Sequence, residues 1–230
     1  RLDIDNPNWS FGLYADHFFE DHSSMFLLDY DGYGEGTEWN EKKQSRFLLY
    51  QMKDIMLGME LKLKNFSYIN NIVAEYVYTK YQSGPIYHDH TQLLPDHIGG
   101  IDDYYNHHLY TGWQHWGQAI GNPLYISPIY NTDGKIEFKN NRFVAYHIGI
   151  SGQPSKSIDY RILSTWQKGY GTYNRPFPDP RFGFYCMGEV TCRIKKGWGI
   201  TAAMALDRGK LTGNNFGMQV TVAKSGILSK

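Results

Sequence analysis

Ile55-Met56-Leu57-Gly58-Met59-Glu60-Leu61-Lys62-Leu63 alternates without a break. Ile55, Leu57, Met59, Leu61 and Leu63 share one face of an extended chain, and Met56, Gly58, Glu60 and Lys62 share the other. A period of two residues predicts a strand with one apolar and one polar face. Lys64 to Ser67 reads as a turn, and Ile69–Tyr81 follows as a second strand with Ile72, Ala74, Tyr76 and Tyr78 on one side. On the N-terminal side, Trp9–Phe19 alternates in the same way, with Trp9, Phe11, Leu13 and Ala15 together. Between them, an acidic stretch from Glu20 to Gly36 reads as a loop or plug, and Glu41–Tyr50 fits either a short helix or a strand.

The pattern returns near the C-terminus. Val144, Tyr146, Ile148 and Ile150 form one face of a strand. Tyr160, Ile162, Ser164 and Trp166 form another, and Phe184, Cys186, Val190, Cys192 and Ile194 a third. Trp198, Ile200, Ala202, Met204 and Leu206 oppose Gly199, Thr201, Ala203, Ala205 and Asp207, and Phe216, Met218, Val220 and Val222 close the series. Residues 169–183, rich in proline, read as a loop. Seven clear strands and one or two less regular ones result. They run about 9–13 residues, against the roughly 5–6 usual in soluble sheets and the roughly 9–11 that cross a bilayer. Trp9, Tyr78, Trp166, Phe184, Trp198 and Phe216 sit at ends of apolar faces, as in the aromatic girdles of membrane barrels. The expected fold is an all-β antiparallel transmembrane barrel, or the C-terminal half of one, as a single domain over 1–230. A soluble sandwich with one wet face is the competing architecture.

Composition narrows the functions. Lys+Arg and Asp+Glu are 23 each. A chain with no basic excess is not expected to bind nucleic acid. Aromatic residues are 16% of the chain, which favours strands. Cys186 and Cys192 stand roughly 20 Å apart along one strand, too far for a disulfide within it.

The segment from about 84 to 134 breaks the alternation. It carries six of the nine histidines and two of the six tryptophans. An aperiodic loop of this length in a compact domain points to function. His88-Asp89-His90, with His97, His107, His108 and His115 beyond, raises metal binding, but the spacings match no familiar site, and no metal or other cofactor is expected. His88, Asp89, Asp96, Asp102 and Asp103 raise acid–base chemistry. No nucleophile elbow or phosphate loop accompanies them, so no enzyme is expected. Carbohydrate binding fits best. Tyr104, Tyr105, Tyr110, Trp113, Trp116 and Tyr125 offer flat apolar faces for sugar rings. His88, Asp89, His90, Asp102, Asp103 and His115 offer hydrogen bonds beside them. The alternative role for Trp113 and Trp116 is a small core that keeps the loop folded.

These residues also carry a resemblance. GPIYHDHTQLLPDHIGGIDDYYNHHLYTGWQHWGQAIGNPLYISPIYN resembles Wzi-type capsule assembly proteins in their Bacteroidetes-like form, as do Asp16–Phe26, His147–Pro154, Trp166–Tyr173 and Ala205–Leu228. The resemblance implies an eighteen-stranded outer-membrane barrel of which this chain is the C-terminal half, with a second chain or a further segment completing it. It implies a lectin of the bacterial cell surface that anchors capsular or other surface polysaccharide and contacts outer-membrane lipid. A channel or transport accessory and a glycan-active enzyme are the rival functions.

Overall fold

A computed structural model describes residues 1–18, 54–82, 103–107 and 109–226 in full, and the backbone alone of the short strands Leu28–Asp29, Arg46–Phe47, Ile86–His88 and Ile98–Gly99. Nine strands form one antiparallel sheet in simple chain order. They are β1 (Leu2–Asp5), β2 (Trp9–His17), β3 (Ile55–Leu63), β4 (Asn71–Tyr78), β5 (Phe143–Ser155), β6 (Ile158–Gly171), β7 (Pro176–Arg193), β8 (Trp198–Gly209) and β9 (Asn215–Lys224). Among the described residues there is no α-helix, and β1 and β9 each have one neighbour, so the sheet is open. A closed barrel is therefore not what these nine strands form by themselves.

β3 has the limits that its alternation predicts, and β2 and β4 stop a few residues short. One strand is added and one expectation is corrected. Leu2–Asp5, too short to show a period, is a strand, held by pairing with Ser10–Leu13. The proline-rich 169–183 stretch is mostly strand: β6 runs to Gly171 and β7 starts at Pro176. Its prolines are tolerated because β8 pairs with β7 only from Gly183 onward, and the β6 register jumps between Gly169 and Gly171. Proline lacks the ladder donor and sits where no partner needs one.

The register joins the apolar residues of all nine strands into one face. Ile4 pairs with Phe11, Phe11 with Leu61, Leu61 with Ile72 and Ile72 with Ile150, then Ile150 with Ile162. Farther along, Met204 pairs with Met218 and Val220 with Ala202. This face is open to its surroundings across β1–β9; Met218 is 68% exposed. Its Lys and Arg residues stand only at strand ends: Lys168, Arg208 and Lys224. Tyr76, Tyr146, Trp166 and Phe184 pair consecutively in one row near one end, with Tyr76–Tyr146 rings 5.3 Å apart and Trp166–Phe184 rings 5.4 Å apart. Trp9 and Trp198 mark the other end.

The opposite face is polar and internally paired. Arg161 binds Glu189 at 3.0 Å, Arg193 binds Asp159 at 2.7 Å, and Glu60 receives Arg1 at 3.2 Å and Lys62 at 3.1 Å. Tyr14 lies flat across β3 to donate to Glu75 of β4 at 2.5 Å. It can do so because position 58 is glycine: a Cβ there would come within 2.1 Å of the Tyr14 ring. Gly58→Ala is expected to displace Tyr14, break the Tyr14–Glu75 bond and cost about 1–3 kcal/mol, read as a lower urea midpoint. Tyr14→Ala, which vacates the space, should make the Gly58 change nearly silent.

Connections segregate by end. Residues 6–8, 64–70, 156–157 and 194–197 turn the chain at the Trp9–Trp198 end, and at the end bearing the aromatic row the chain leaves and re-enters the sheet for the two long connections, 18–54 and 79–142, and turns through 172–175 and 210–214. The buried cluster lies at this end, on the polar face. Val77, Phe143 and Ala145 from β4 and β5 are covered by Tyr104, Tyr125 and Phe138 from the long connection. The sheet thus buries part of its polar face and exposes its apolar one.

Candidate functional site

The 103–142 segment is held by hydrogen bonds that stand in for secondary structure. Gln82, fully buried with φ of 64°, accepts from the Tyr104 backbone N–H at 2.8 Å and donates to the carbonyl oxygens of Thr79 at 2.6 Å and Asn141 at 3.1 Å. The Tyr104 hydroxyl donates to Asp54 Oδ2 at 2.9 Å, with the Phe18 carbonyl 3.0 Å away. Asp54 Oδ1 accepts from the Tyr81 N–H at 2.9 Å. Asn106 pairs with the Phe138 backbone in both directions, at 2.9 Å and 2.7 Å, as a strand neighbour would. Asp103 accepts from Asn106 and Asn141 side chains. Unsatisfied polar groups are costly inside a protein, so this long irregular segment stays packed only because its buried polar atoms largely find partners.

The apolar counterpart is a stack. Tyr105 and Tyr125 lie face to face at 3.8 Å, with Phe138 edge-on to Tyr105 at 5.1 Å and Phe143 edge-on to Tyr125 at 5.1 Å. Gln167 of β6 donates to the Leu124 carbonyl at 2.9 Å, tying the stack to the polar face of the sheet. Arg175 on the β6–β7 connection binds Glu137 at 2.6 Å. Asp133 is held below the usual carboxylate range by the Lys139 ammonium that hydrogen-bonds it, so their pairing is fully present above that range and is lost only as pH falls through the lowered pKa beneath it.

Above this base stands a small hairpin. Gln114–His115 pairs with Gln118–Ala119, and Trp116-Gly117 form its two-residue turn. Both turn residues have positive φ, 51° and 78°, which is the type I′ geometry. The first position favours asparagine or glycine, and a bulky residue there is strained. Yet Trp116 occupies it and is 85% exposed. Trp113, at the base, donates its N–H to the Tyr105 carbonyl at 2.9 Å, and its side chain is 54% exposed. The His115 and Trp116 rings meet edge to face at 6.2 Å. Ile129 donates to the Gly117 carbonyl at 2.8 Å, which sets the exposed Tyr130 beside the turn. Tyr110 stacks on His107 at 4.1 Å.

Comparison with protein families, curated proteins and solved structures gives no match. The site therefore rests on its own geometry.

That geometry divides the expected residues. Trp113, Trp116 and His115 are exposed on one hairpin. Tyr104 is 2% exposed, Tyr105 is stacked on Tyr125, and Asp103 spends both oxygens on neighbouring asparagines. These three build the base of the loop, with Tyr104 buried and Asp103 and Tyr105 half-buried. The small core holding the loop is Tyr104, Tyr105, Tyr125 and Phe138, with neither tryptophan buried in it. His88 ends the short strand Ile86–His88, of which only the backbone is described; Asp89, His90 and Asp102 lie outside the described residues. Tyr130, exposed next to Ile129, which bonds the hairpin turn, is a further ring at this site that residue type alone does not single out. Among the described residues, no three His, Cys, Asp or Glu side chains are grouped to hold a metal ion.

Proposed function

We propose that this chain is part of a bacterial outer-membrane β-barrel that holds capsular or other surface polysaccharide on its long loops and performs no chemistry on it. The observation carrying this reading is the exposed apolar face. Nine strands spaced by ~4.8 Å make it roughly 40 Å wide. On β8 the apolar positions from Trp198 to Leu206 span roughly 27 Å along the strand at ~3.4 Å per residue. A tilt of about 40° reduces that to about 21 Å, near the ~25 Å apolar band of an outer-membrane barrel. The area of that face, roughly 40 Å by 27 Å and so on the order of 1,000 Å², exceeds the ~300–600 Å² of the largest apolar patch on a typical soluble monomer. Cations confined to strand ends, aromatic residues at both ends and the segregation of the long connections to one end belong to the same architecture. Lipid covers the apolar face, and further strands, from the same protein or a second chain, close the edges of β1 and β9, since an open edge is unstable in hydrocarbon.

The loop supplies the binding role. Trp113, Trp116 and Tyr130 present ring faces suited to the C–H faces of sugars, and His115 stands beside them as a hydrogen-bond group. The strained, exposed Trp116 favours a binding role over a structural one, because strain that contributes nothing to packing is retained where function uses it.

Outer-membrane fractionation tests the architecture: the protein should require detergent for extraction and change its gel migration only after boiling. A detergent-free soluble protein with no shift contradicts it. For the site, Trp113→Ala with Trp116→Ala should weaken polysaccharide retention by about 2 kcal/mol, roughly thirtyfold. Trp116→Asn separates the causes, because asparagine suits the turn but lacks the ring: retention should fall while stability holds or rises. Retention unchanged in the double variant refutes the site. The charged polar face also suits a channel, and steady conductance in planar bilayers would favour that second reading.

A further inference from the structure

At the long-loop end of the apolar face, three cations gather just beyond the aromatic row and a fourth, Arg208, stands at the edge of the row itself. Lys168 pairs with Val144 and Phe182, one row past Trp166. Arg142 continues the β5–β6 ladder another row, donating its N–H to the Gly171 carbonyl at 3.1 Å and accepting from the Tyr170 N–H at 2.8 Å. Its Nε donates to the Lys80 carbonyl at 2.9 Å, which brings Lys80 alongside. Arg208 pairs with Phe184 at the edge of the aromatic row.

Three of these cations, Lys80, Lys168 and Arg142, rest on rings. Lys80 Nζ lies 4.3 Å from the centre of the Tyr170 ring, and Lys168 Nζ lies 5.7 Å from the same ring and 5.3 Å from Phe182. The Arg142 guanidinium covers Tyr173 at 3.9 Å. None of the four has a carboxylate partner among the described residues, whereas Arg1, Lys62, Lys64, Arg161 and Arg193 are all in ion pairs elsewhere. Like charges at one rim, none of them in an ion pair with a described carboxylate, are complementary to an anion.

We propose that this rim binds the phosphate group of a lipid headgroup in the adjoining leaflet. The inference rests on the membrane reading above. The aromatic row fixes the cluster at the height where headgroups begin. Arginine and lysine there are long enough to reach a phosphate while their stems stay on apolar surface. A zwitterionic headgroup brings its own cation to the site, so a lipid whose headgroup is a bare phosphate is favoured.

The test places the full protein in nanodiscs of phosphatidylcholine with a minor fraction of phosphatidic acid and counts retained lipids by native mass spectrometry. Phosphatidic acid should be retained above its bulk share. Lys80→Gln, Lys168→Gln and Arg208→Gln together should lower that enrichment by roughly fivefold for each cation removed. Lys195→Gln with Lys196→Gln, at the opposite end, should leave it unchanged. Protein that inserts but retains the two lipids in bulk proportion overturns the site and leaves the membrane reading intact. Equal loss of enrichment in the Lys195 and Lys196 variant overturns it as well. So does displacement of the lipid by an equal concentration of inorganic phosphate, or loss of acidic polysaccharide binding in the triple variant with lipid retention untouched. Protein that fails to enter nanodiscs at all contradicts the membrane reading, and this site with it.

Discussion

Tyr104→Ala is expected to release the 103–142 segment from the sheet. The substitution empties a fully enclosed position and removes the hydroxyl that donates to Asp54. Aromatic-to-alanine changes in cores cost about 3–5 kcal/mol, and taking a hydrogen-bond donor from a buried carboxylate adds to that. The effect should stay local. Tyr104 packs in the cluster with Val77, Phe143 and Ala145 and bonds Asp54 and Phe18 beside the ends of β3 and β2, while no backbone bond of the nine-strand ladder passes through it. Trypsin should therefore cut at Lys135 and Lys139 in the variant and spare them in the parent, with the boiling-dependent gel shift retained. Tyr104→Phe keeps the ring and loses the hydroxyl, so it should cost about 1–3 kcal/mol and leave the loop docked. Loss of the gel shift together with the loop would show that the two fold as one unit.

The second large effect is a charge on the apolar face. Met204 lies at the middle of β8, between Gly188 and Met218. Met204→Arg should cost about 2–4 kcal/mol, the penalty for arginine at the midplane of a membrane barrel. In water the same change would be nearly silent, within about 0.5 kcal/mol, because Met204 is exposed and exposed substitutions seldom matter. Its neighbour provides the control. Ala203 pairs with Glu189 on the polar face, so Ala203→Arg adds a charge next to an opposite one and should be tolerated. Folding yield into lipid vesicles, measured for both variants, separates the faces. Equal tolerance of both contradicts the lipid-facing assignment.

The sequence showed the sheet well because strand period is a local property. Ile55–Leu63 displays its two faces with no knowledge of its neighbours, and the register only has to join faces that already exist. Leu2–Asp5 was hidden because four residues carry no period, and pairing with β2 decides it. The β7 prolines misled for the opposite reason: proline is a turn signal unless the partner strand is missing on that side, and only the register of β8 reveals that. In the loop, the residue types announced aromatic and polar contacts but not which rings face inward. Residue type alone does not separate Tyr104, a core ring, from Trp116, an exposed one. The distinction comes from Asp54 and Gln82, distant in the chain, which claim Tyr104, and from the Trp116-Gly117 turn, which turns its tryptophan outward.

The account stands most directly on which face of β8 meets lipid. With Cys186 and Cys192 changed to serine, single cysteines placed in turn at positions 200 to 206 can be exposed to a water-soluble charged maleimide in native membranes. Protection at 200, 202, 204 and 206, with labelling at 203 and 205, is the predicted result. Labelling of the even positions in intact membranes would place the apolar face in water and contradict the account.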